Sequence, residues 1–410
     1  MKGFLAKYLM VALFSVSLPY SVFSQPLYQQ QNEKPDTLAN AKNVSNNSII
    51  EKSVEEQRIV DAKTAMPNVF NVLKSRVETF EQQIKQARNV TALTQVVIRH
   101  ARLLWQEGVT SFEQTKRFDD RSLYWARLSM SAALRAAPAF KEALYTQQQA
   151  LMWKFELISR GQQDISFNKN SDKKMLVTGF DPFFLDRNIR QSNPSGVAAL
   201  ALDDLLISKD GISVEIETLI LPVRFADFDQ GMVEALLSPY FNEVDYIITV
   251  SMGRTDFDLE RFPGLRRSAH APDNLNMFTG ATKKDPILPS LNNHHLDGPE
   301  FIEFSLPVKA MSNAAGPFAI NDNRSVTTVT GPLTVEHIMQ LQKRTSVEGS
   351  GGGYLSNEVS YRSLLLRDQL NPMLAVGHIH TPSIKGYEPQ KSKSIIQQLK
   401  KMLQLAITDK

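Results

Sequence analysis

The run MLVTG at residues 175–179 is a short stretch of apolar and β-branched residues that stops at a glycine. Such runs indicate buried strands, and two more follow at residues 214–221 and 246–250. The residues between them, at 197–206 and 228–237, have the pattern of helices. Short strands that alternate with helices predict an α/β fold, in which a mostly parallel, twisted sheet is covered by helices on both faces.

The preceding region, residues 49–160, is predicted to be an all-α helical domain of about four helices, because its apolar residues recur at three- and four-residue steps. The first helical stripe contains Val69, Phe70, Leu73, Val77, Phe80 and Ile84. The second contains Val96, Val97, Leu103, Leu104 and Trp105. We expect Asp119 or Asp120 to cap the third helix, and Pro138 to start a fourth that continues through Leu144.

The boundary between the two regions is predicted in the polar segment 161–173, which contains Gly, Asn and Asp. An α/β domain over residues 173–390 and a C-terminal helix over 391–410 would complete the chain. In open α/β sheets, functional loops follow the carboxyl ends of strands. Residues 178–184 and 251–260 occupy such positions and are therefore candidate site loops.

The N-terminus is typical of a targeting segment. Lys2 and Lys7 precede an apolar stretch at residues 8–16, which is shorter than the ~20 residues that a membrane span needs. We therefore expect residues 1–24 to be a cleaved signal peptide rather than a retained anchor. Residues 25–48 are rich in Gln, Asn and Ser and are predicted to be a disordered linker. The mature protein would then be periplasmic or secreted, with no membrane attachment.

Composition excludes several kinds of site. The 410 residues carry 46 basic and 43 acidic side chains without a basic cluster, so no nucleic-acid partner is indicated. The chain contains no cysteine, which excludes disulfides, thiolate metal sites and a thiol nucleophile. No cofactor motif is evident, and self-association into a homo-oligomer is left open.

Ser356 is the first candidate for chemistry. It follows a glycine-rich loop at residues 351–353 and lies where a helix is predicted to begin, at about Glu358. Backbone N–H groups and the positive end of a helix dipole could activate a nucleophile there and form an oxyanion hole. The alternative is a serine that only caps the helix.

His378 and His380 alternate on a predicted strand and would share one face. His380, nearer the strand end, is the better general base. Glu260 could orient it as the third member of a triad, although an ion pair with Arg261 is the simpler interpretation of that carboxylate. A metal site could instead join the two histidines to remote ligands, for which the candidates are His294, His295 and Asp297. Spacing alone allows a triad without requiring it, and we expect no metal.

Taken together, short motifs in the same order resemble the cysteine-type pyroglutamyl peptidase I family over residues 173–385. Thr178-Gly179-Phe180-Asp181-Pro182-Phe183 is similar to TGFEPFG, and Asn193-Pro194-Ser195 to NPS. Further matches are Leu221-Pro222-Val223 (LPV), Arg254 and Glu260 (GR…ER), Pro272-Asp273-Asn274 (PDN), residues 297–310 (DGP…TLPVKA), Tyr354-Leu355-Ser356-Asn357 with Tyr361 (YLCNxxxY), and residues 377–382 (GFIHVP).

The resemblance implies a three-layer α/β/α sandwich and a peptidase that removes N-terminal pyroglutamate. By position, Ser356 stands where the family carries its nucleophilic cysteine, His380 would be the base, and Glu260 would orient it. The residues implied to bind the substrate are Phe180, Phe183, Tyr354, Asn193 and Arg254.

The sequence also departs from the family. Val250 replaces a glutamine just before the Gly-Arg pair, and residues 321–346 form a longer stretch that could be a lid or a flexible insertion. Two functions follow, and a purely structural role centred on the helices is a third alternative. The first is a pyroglutamyl-peptidase-like hydrolase with a Ser–His–Glu triad. The second is an inactive pseudoenzyme that binds a pyroglutamyl-type ligand, or a partner protein.

Overall fold

A seven-stranded sheet organises the C-terminal half of the computed structural model, which describes residues 51–167 and 170–407. In order across the sheet, the strands are β2 (Leu205–Lys209), β3 (Ile212–Leu221), β1 (Lys173–Phe180), β4 (Tyr246–Met252), β12 (Ala375–Thr381), β5 (Phe257–Glu260) and β8 (Ile320–Asn323). β3, β1, β4 and β12 pair in parallel, as do β5 and β8. β2 and β5 run antiparallel to β3 and β12. The predicted α/β fold with a mostly parallel sheet is confirmed, and the three-layer arrangement stays a prediction.

The parallel core of the sheet brings four strand ends to one edge. The register pairs Phe180 with Leu221, and His380 with Ser251. Side chains of the central strands are buried along almost their whole length, as expected for a sheet covered by helices. The loops that leave this edge therefore hold the candidate residues close together.

Six α-helices belong to the described α/β part. They are α9 (Pro194–Leu202), α10 (Phe225–Asp229), α11 (Met232–Leu237), α12 (Val308–Met311), α13 (Leu355–Leu370) and α14 (Pro389–Ala406). α9 packs on β1, β3 and β4, whereas α13 packs on β4 and β12.

Two predicted helices of this part need correction. The helix expected at 197–206 ends at Leu202, because the Asp203 carboxylate accepts hydrogen bonds from the backbone and hydroxyl of Thr218. The next residues form strand β2 instead. The helix expected at 228–237 is interrupted by Gly231, whose φ of 84° is not helical.

The N-terminal part is helical throughout. Its helices are α1 (Val54–Gln57), α2 (Ile59–Ala65), α3 (Pro67–Asn71), α4 (Lys74–Gln86), α5 (Val90–Thr115), α6 (Arg121–Ala136), α7 (Pro138–Lys141) and α8 (Tyr145–Ile158). The predicted stripe from Val69 to Ile84 is broken at Leu73, and the predicted fourth helix at Leu144, because both residues leave the helical conformation. Apolar spacing reports which residues share a buried face, and it does not report backbone continuity.

One hydrophobic core joins the helical part to the sheet. Phe80, Trp105 and Phe155 belong to the same buried cluster as Met175 and Val177 of β1. All described residues fall in one compact unit. Within them, no helix is long and apolar enough to cross a bilayer. The predicted signal peptide and linker, residues 1–48, lie outside the described residues.

The stretch 321–346 contains short strands and a 3-10 helix at Ile338–Leu341. It contributes most of β8 to the main sheet and continues into a separate antiparallel sheet of β9 (Ser325–Thr328), β10 (Gly331–Thr334) and β11 (Ser346–Glu348). A two-stranded hairpin of β6 (Ser290–Leu291) and β7 (His294–His295) lies elsewhere on the surface.

Candidate active site

The sheet brings His380 and Glu260 together. β12 and β5 are antiparallel neighbours, and Nδ1 of His380 lies 2.6 Å from Oε1 of Glu260. Glu260 is fully buried, and its other oxygen accepts a hydrogen bond from the Asn323 amide at 2.9 Å. A carboxylate that accepts from Nδ1–H leaves Nε2 of the ring as a free base. The pair therefore has the geometry of a base and its orienting group.

Ser356 is the second residue of α13 and is half-buried. Tyr354, in an extended conformation, is the cap of this helix, so the first-turn N–H groups have no acceptor within it. Ser356 Oγ donates to the carbonyl oxygen of Gly351 at 3.4 Å, and no hydrogen bond joins it to His380 among the described residues. Gly351 nevertheless lies beside the imidazole, since a Cβ on it would be 3.6 Å from Cε1 of His380.

A cavity of about 290 Å³ opens next to Ser356. Its lining includes five of the residues that the sequence suggested, namely Phe180, Phe183, Asn193, Tyr354 and Ser356. Phe180 stacks on Phe228, and Tyr354 meets Phe225 edge-on. These contacts hold aromatic faces around a space that suits a small, flat ligand.

Most polar atoms of the cavity wall are engaged by the protein itself. The Asn193 amide donates to the Asp181 carbonyl at 2.9 Å and accepts from the backbone and hydroxyl of Ser195. The Tyr354 hydroxyl donates to the Pro272 carbonyl at 2.8 Å, and burial raises the pKa of Tyr354. The Tyr354 hydroxyl is therefore not a ready general acid for a ligand.

Arg254 lies apart from this cavity. It is exposed and lines a larger polar cleft of about 920 Å³, whose wall also contains Asp258, Asn323 and Gly352. The cleft adjoins the cavity. Gly253 and Tyr354 line the cavity, and their near neighbours in the chain, Arg254 and Gly352, line the cleft.

One cluster could hold a metal ion within the described ranges. The ligand atoms of Asp258, Glu260 and His380 lie within 4.8 Å of one another. The remote ligands considered from the sequence, His294, His295 and Asp297, are not part of this cluster, and both histidines lie on the exposed strand β7.

Two family models match separate parts of the chain. The model described as "PA0049 N-terminal domain" matches residues 36–156, and "PA0049, C-terminal domain" matches 174–294 and 311–385. The uncharacterized protein PA0049 of Pseudomonas aeruginosa is 29% identical over 387 residues, covering 71% of this chain and 70% of that protein.

The second half has further relatives. The pyrrolidone-carboxylate peptidase of Lacticaseibacillus paracasei is 24% identical over 212 residues, covering 51% of this chain and 77% of that enzyme. That of Levilactobacillus brevis is 25% identical over 221 residues, covering 53% of this chain and 86% of that enzyme. Over about half its length, the chain is a distant homologue of the pyrrolidone-carboxylate peptidases.

Solved structures of such peptidases align with the same half. A variant of the pyrrolidone carboxyl peptidase from Pyrococcus furiosus is 24% identical, with a TM-score of 0.41, covering 57% of this chain and 97% of that one. The pyroglutamyl peptidase I of Bacillus amyloliquefaciens is 20% identical, with a TM-score of 0.39, covering 57% and 96%.

In this peptidase-like half, a second serine–histidine contact lies beside the first site. Ser251 Oγ is 2.8 Å from Nε2 of His378, whose Nδ1 is 2.8 Å from the Thr249 hydroxyl. Burial, reinforced by the neighbouring His380, lowers the pKa of His378 well below its usual value, so its ring is neutral. Ser251 also lines the aromatic cavity. Sequence analysis missed it, although its alternation with Thr249 on β4 places both on the face of the histidines.

Charged residues of the helical part form ion pairs with a residue next to the cavity lining. Arg127 and Arg160 each bind Asp181 at 2.7 Å. Burial opposes ionisation of this aspartate, but the two guanidinium groups outweigh it and lower the pKa of Asp181. Asp181 follows Phe180 directly, so these ion pairs hold in place the loop next to Phe180, an aromatic residue of the cavity lining.

Asp120 has a similar role beside Asn193, another residue of the cavity lining. Its carboxylate accepts hydrogen bonds from the Ser192 hydroxyl at 2.6 Å and from the backbone N–H of Asn193. Asp120 precedes helix α6, where sequence analysis expected a cap, but its side chain makes no cap hydrogen bond. It is fully buried, and this burial raises the pKa of Asp120 to about 8.

Proposed function

We propose that this protein is a hydrolase that removes N-terminal pyroglutamate, or a related cyclic acyl group, from peptides. Ser356 would be its nucleophile, His380 its base and Glu260 the group that orients the base. The observation that carries the proposal is the buried hydrogen bond between Glu260 and His380, next to an aromatic cavity that contains Ser356. A binding protein without chemistry would have no need of a base oriented in this way.

The reaction would proceed in two acyl-transfer steps. Nε2 of His380 accepts the Ser356 proton as Oγ attacks the carbonyl carbon of the scissile amide. The oxyanion that forms is stabilised by first-turn N–H groups of α13, including that of Ser356. Imidazolium then protonates the departing amine. Water, deprotonated by His380, attacks the acyl carbon, and the imidazolium returns this proton to Ser356 Oγ as the carboxylic acid leaves. A rotation of Ser356 away from the Gly351 carbonyl must precede attack.

The cavity supports a small cyclic acyl group as the substrate's first residue. Phe180, Phe183 and Tyr354 supply aromatic surface, and about 290 Å³ limits the ring to a small one. Asn193 shapes this wall through its internal hydrogen bonds. Arg254, in the adjoining polar cleft, would contact the peptide beyond the scissile bond.

We further propose that the protein acts after export, in a periplasm or outside the cell. A serine nucleophile fits this location, because a low-pKa thiol is readily oxidised there. A hydroxyl ionises much less readily than a thiol, so the serine site depends more strongly on its base.

The second candidate is a pseudoenzyme that binds pyroglutamyl-type ligands or a partner protein. The hydrogen bond of Ser356 to Gly351, rather than to His380, favours it. So does Val250, which is buried in the core and offers the cavity no polar contact.

The test compares three forms of the mature protein on a pyroglutamyl chromogenic substrate: wild type, Ser356→Ala and Ser356→Cys. Turnover by the wild type and none by Ser356→Ala supports the hydrolase. Ligand binding by all three forms without turnover by wild type supports the binding protein. Turnover that survives in Ser356→Ala would exclude Ser356 as the nucleophile.

A further inference from the structure

Ser251 is a polar residue of the aromatic cavity that the proposed triad does not use. Among the lining side chains, the Asn193 amide and the Tyr354 hydroxyl already hydrogen-bond within the protein, as described above. Ser356 is assigned to attack. Ser251 is therefore a further lining side chain whose hydrogen-bonding capacity could select the ligand.

The direction of its hydrogen bond follows from its neighbours. Ser251, His378 and Thr249 form a buried chain with 2.8 Å contacts at both ends of the ring, and Thr249 Oγ1 lies 3.4 Å from the Gly377 carbonyl. If Thr249 donates to Gly377, it accepts from Nδ1–H, and Nε2 accepts the Ser251 proton. Every proton then has an acceptor. With the other tautomer, the Ser251 proton would have no acceptor among the described residues, which is costly at a residue that is 4% exposed.

Because the Ser251 hydroxyl donates its proton to His378, Ser251 can only accept a hydrogen bond from a ligand. Its hydroxyl hydrogen points to a neutral His378, so only oxygen lone pairs remain for the cavity. An acceptor in a mostly apolar wall favours a ligand that presents N–H and penalises one that presents an oxygen lone pair.

We propose that Ser251, held as an acceptor by His378, is a specificity-determining residue that recognises the ring N–H of a lactam substrate. This inference rests on the proposed function, because it names a contact for the cyclic acyl group of that substrate. It selects 5-oxopyrrolidine rings over rings of the same size that lack the N–H donor.

Binding measurements test the inference independently of turnover. The probes are 5-oxopyrrolidine-2-carboxamide, its lactone with oxygen in place of N–H, and its cyclopentanone with CH₂ there. Affinities are measured by calorimetry on the mature protein. Wild type is expected to bind the lactam about tenfold more tightly than the cyclopentanone, as for one hydrogen bond of about 1.4 kcal/mol. The lactone is expected to bind no better than the cyclopentanone.

Variants assign this preference to Ser251. Ser251→Ala should reduce the lactam preference to about twofold or less, whereas Ser251→Thr, which keeps the hydroxyl, should restore it. Ser356→Ala is the matched control, because it removes the other serine hydroxyl of the cavity and should leave the preference intact. Far-UV circular dichroism and thermal melting verify that each variant is folded.

The outcomes separate this inference from the proposed function. If wild type shows no turnover but keeps the lactam preference, the hydrolase fails and the inference stands. An unchanged preference in folded Ser251→Ala, or no binding of any probe to wild type, overturns the inference. Covalent labelling of Ser251 by a pyroglutamyl substrate would also overturn it, because Ser251 would then be a nucleophile.

Discussion

Glu260 and His380 are 120 residues apart in the chain, and their side chains meet at 2.6 Å between Oε1 and Nδ1. If this contact fixes the tautomer of the base, Glu260→Gln should lower kcat/KM for a pyroglutamyl substrate by about a hundredfold or more. Steady-state kinetics with the chromogenic substrate measure the change. Glu303→Gln, which alters a carboxylate paired with Arg261, is the control and should stay within about twofold. Equal activity of Glu260→Gln and wild type would refute the triad.

The Asp181 ion pairs should stabilise the fold as well as the cavity. Arg127→Met leaves Asp181 with one guanidinium partner in a fully buried site, and we expect a loss of about 3–5 kcal/mol in the free energy of unfolding. Lys74→Met breaks an exposed pair with Glu78 and should cost less than about 1 kcal/mol. Urea unfolding at neutral pH measures both. Similar losses in the two variants would contradict a special role for the buried pair.

Asp120 should make stability depend on pH. Its pKa in the folded protein is about 8, well above the value of about 3.9 expected in the unfolded chain. The folded state therefore holds a proton that the unfolded state releases. The stabilisation this provides is complete below about pH 4 and is lost as the pH rises towards 8.

The measurement compares wild type with Asp120→Asn by urea unfolding at several pH values from 5 to 8. The free energy of unfolding of wild type relative to this variant should fall with rising pH, by at most about 1.4 kcal/mol per pH unit. Other buried acids, such as Asp203, titrate in both proteins and cancel in the difference. A difference that is constant over this range would show that Asp120 does not hold the proton.

Gly196 allows the close approach that Asp120 needs. A Cβ at this position would lie 2.6 Å from Oδ2 of Asp120 and 2.7 Å from the Phe180 carbonyl oxygen. We expect Gly196→Ala to destabilise the protein by about 1–3 kcal/mol. Gly351→Ala, whose Cβ would meet only ordinary contacts at 3.5 Å and beyond, is the control for stability and should change it by less than about 0.5 kcal/mol. Thermal or urea unfolding that ranks the two variants in the opposite order would contradict the steric argument.

Sequence patterns predicted some elements and missed others for identifiable reasons. The strands at β1, β3 and β4 were predicted within a few residues, because runs of buried β-branched residues report strand and burial together. The strand β2 was missed, since it continues an apolar helical pattern and is separated from it only by the hydrogen bonds of Asp203.

The candidate site, too, was predicted from the sequence only in part. The sequence by itself determined which residue types stand at the strand ends and helix start, including Ser356, His380 and the aromatic residues of the cavity. Tertiary structure decided three hydrogen bonds: between Glu260 and His380, between Ser356 and the Gly351 carbonyl, and between Ser251 and His378. Local patterns encode burial and backbone conformation, which depend on near neighbours. Contacts between distant side chains depend on strand order and register, which are set only when the whole sheet and its helices pack together.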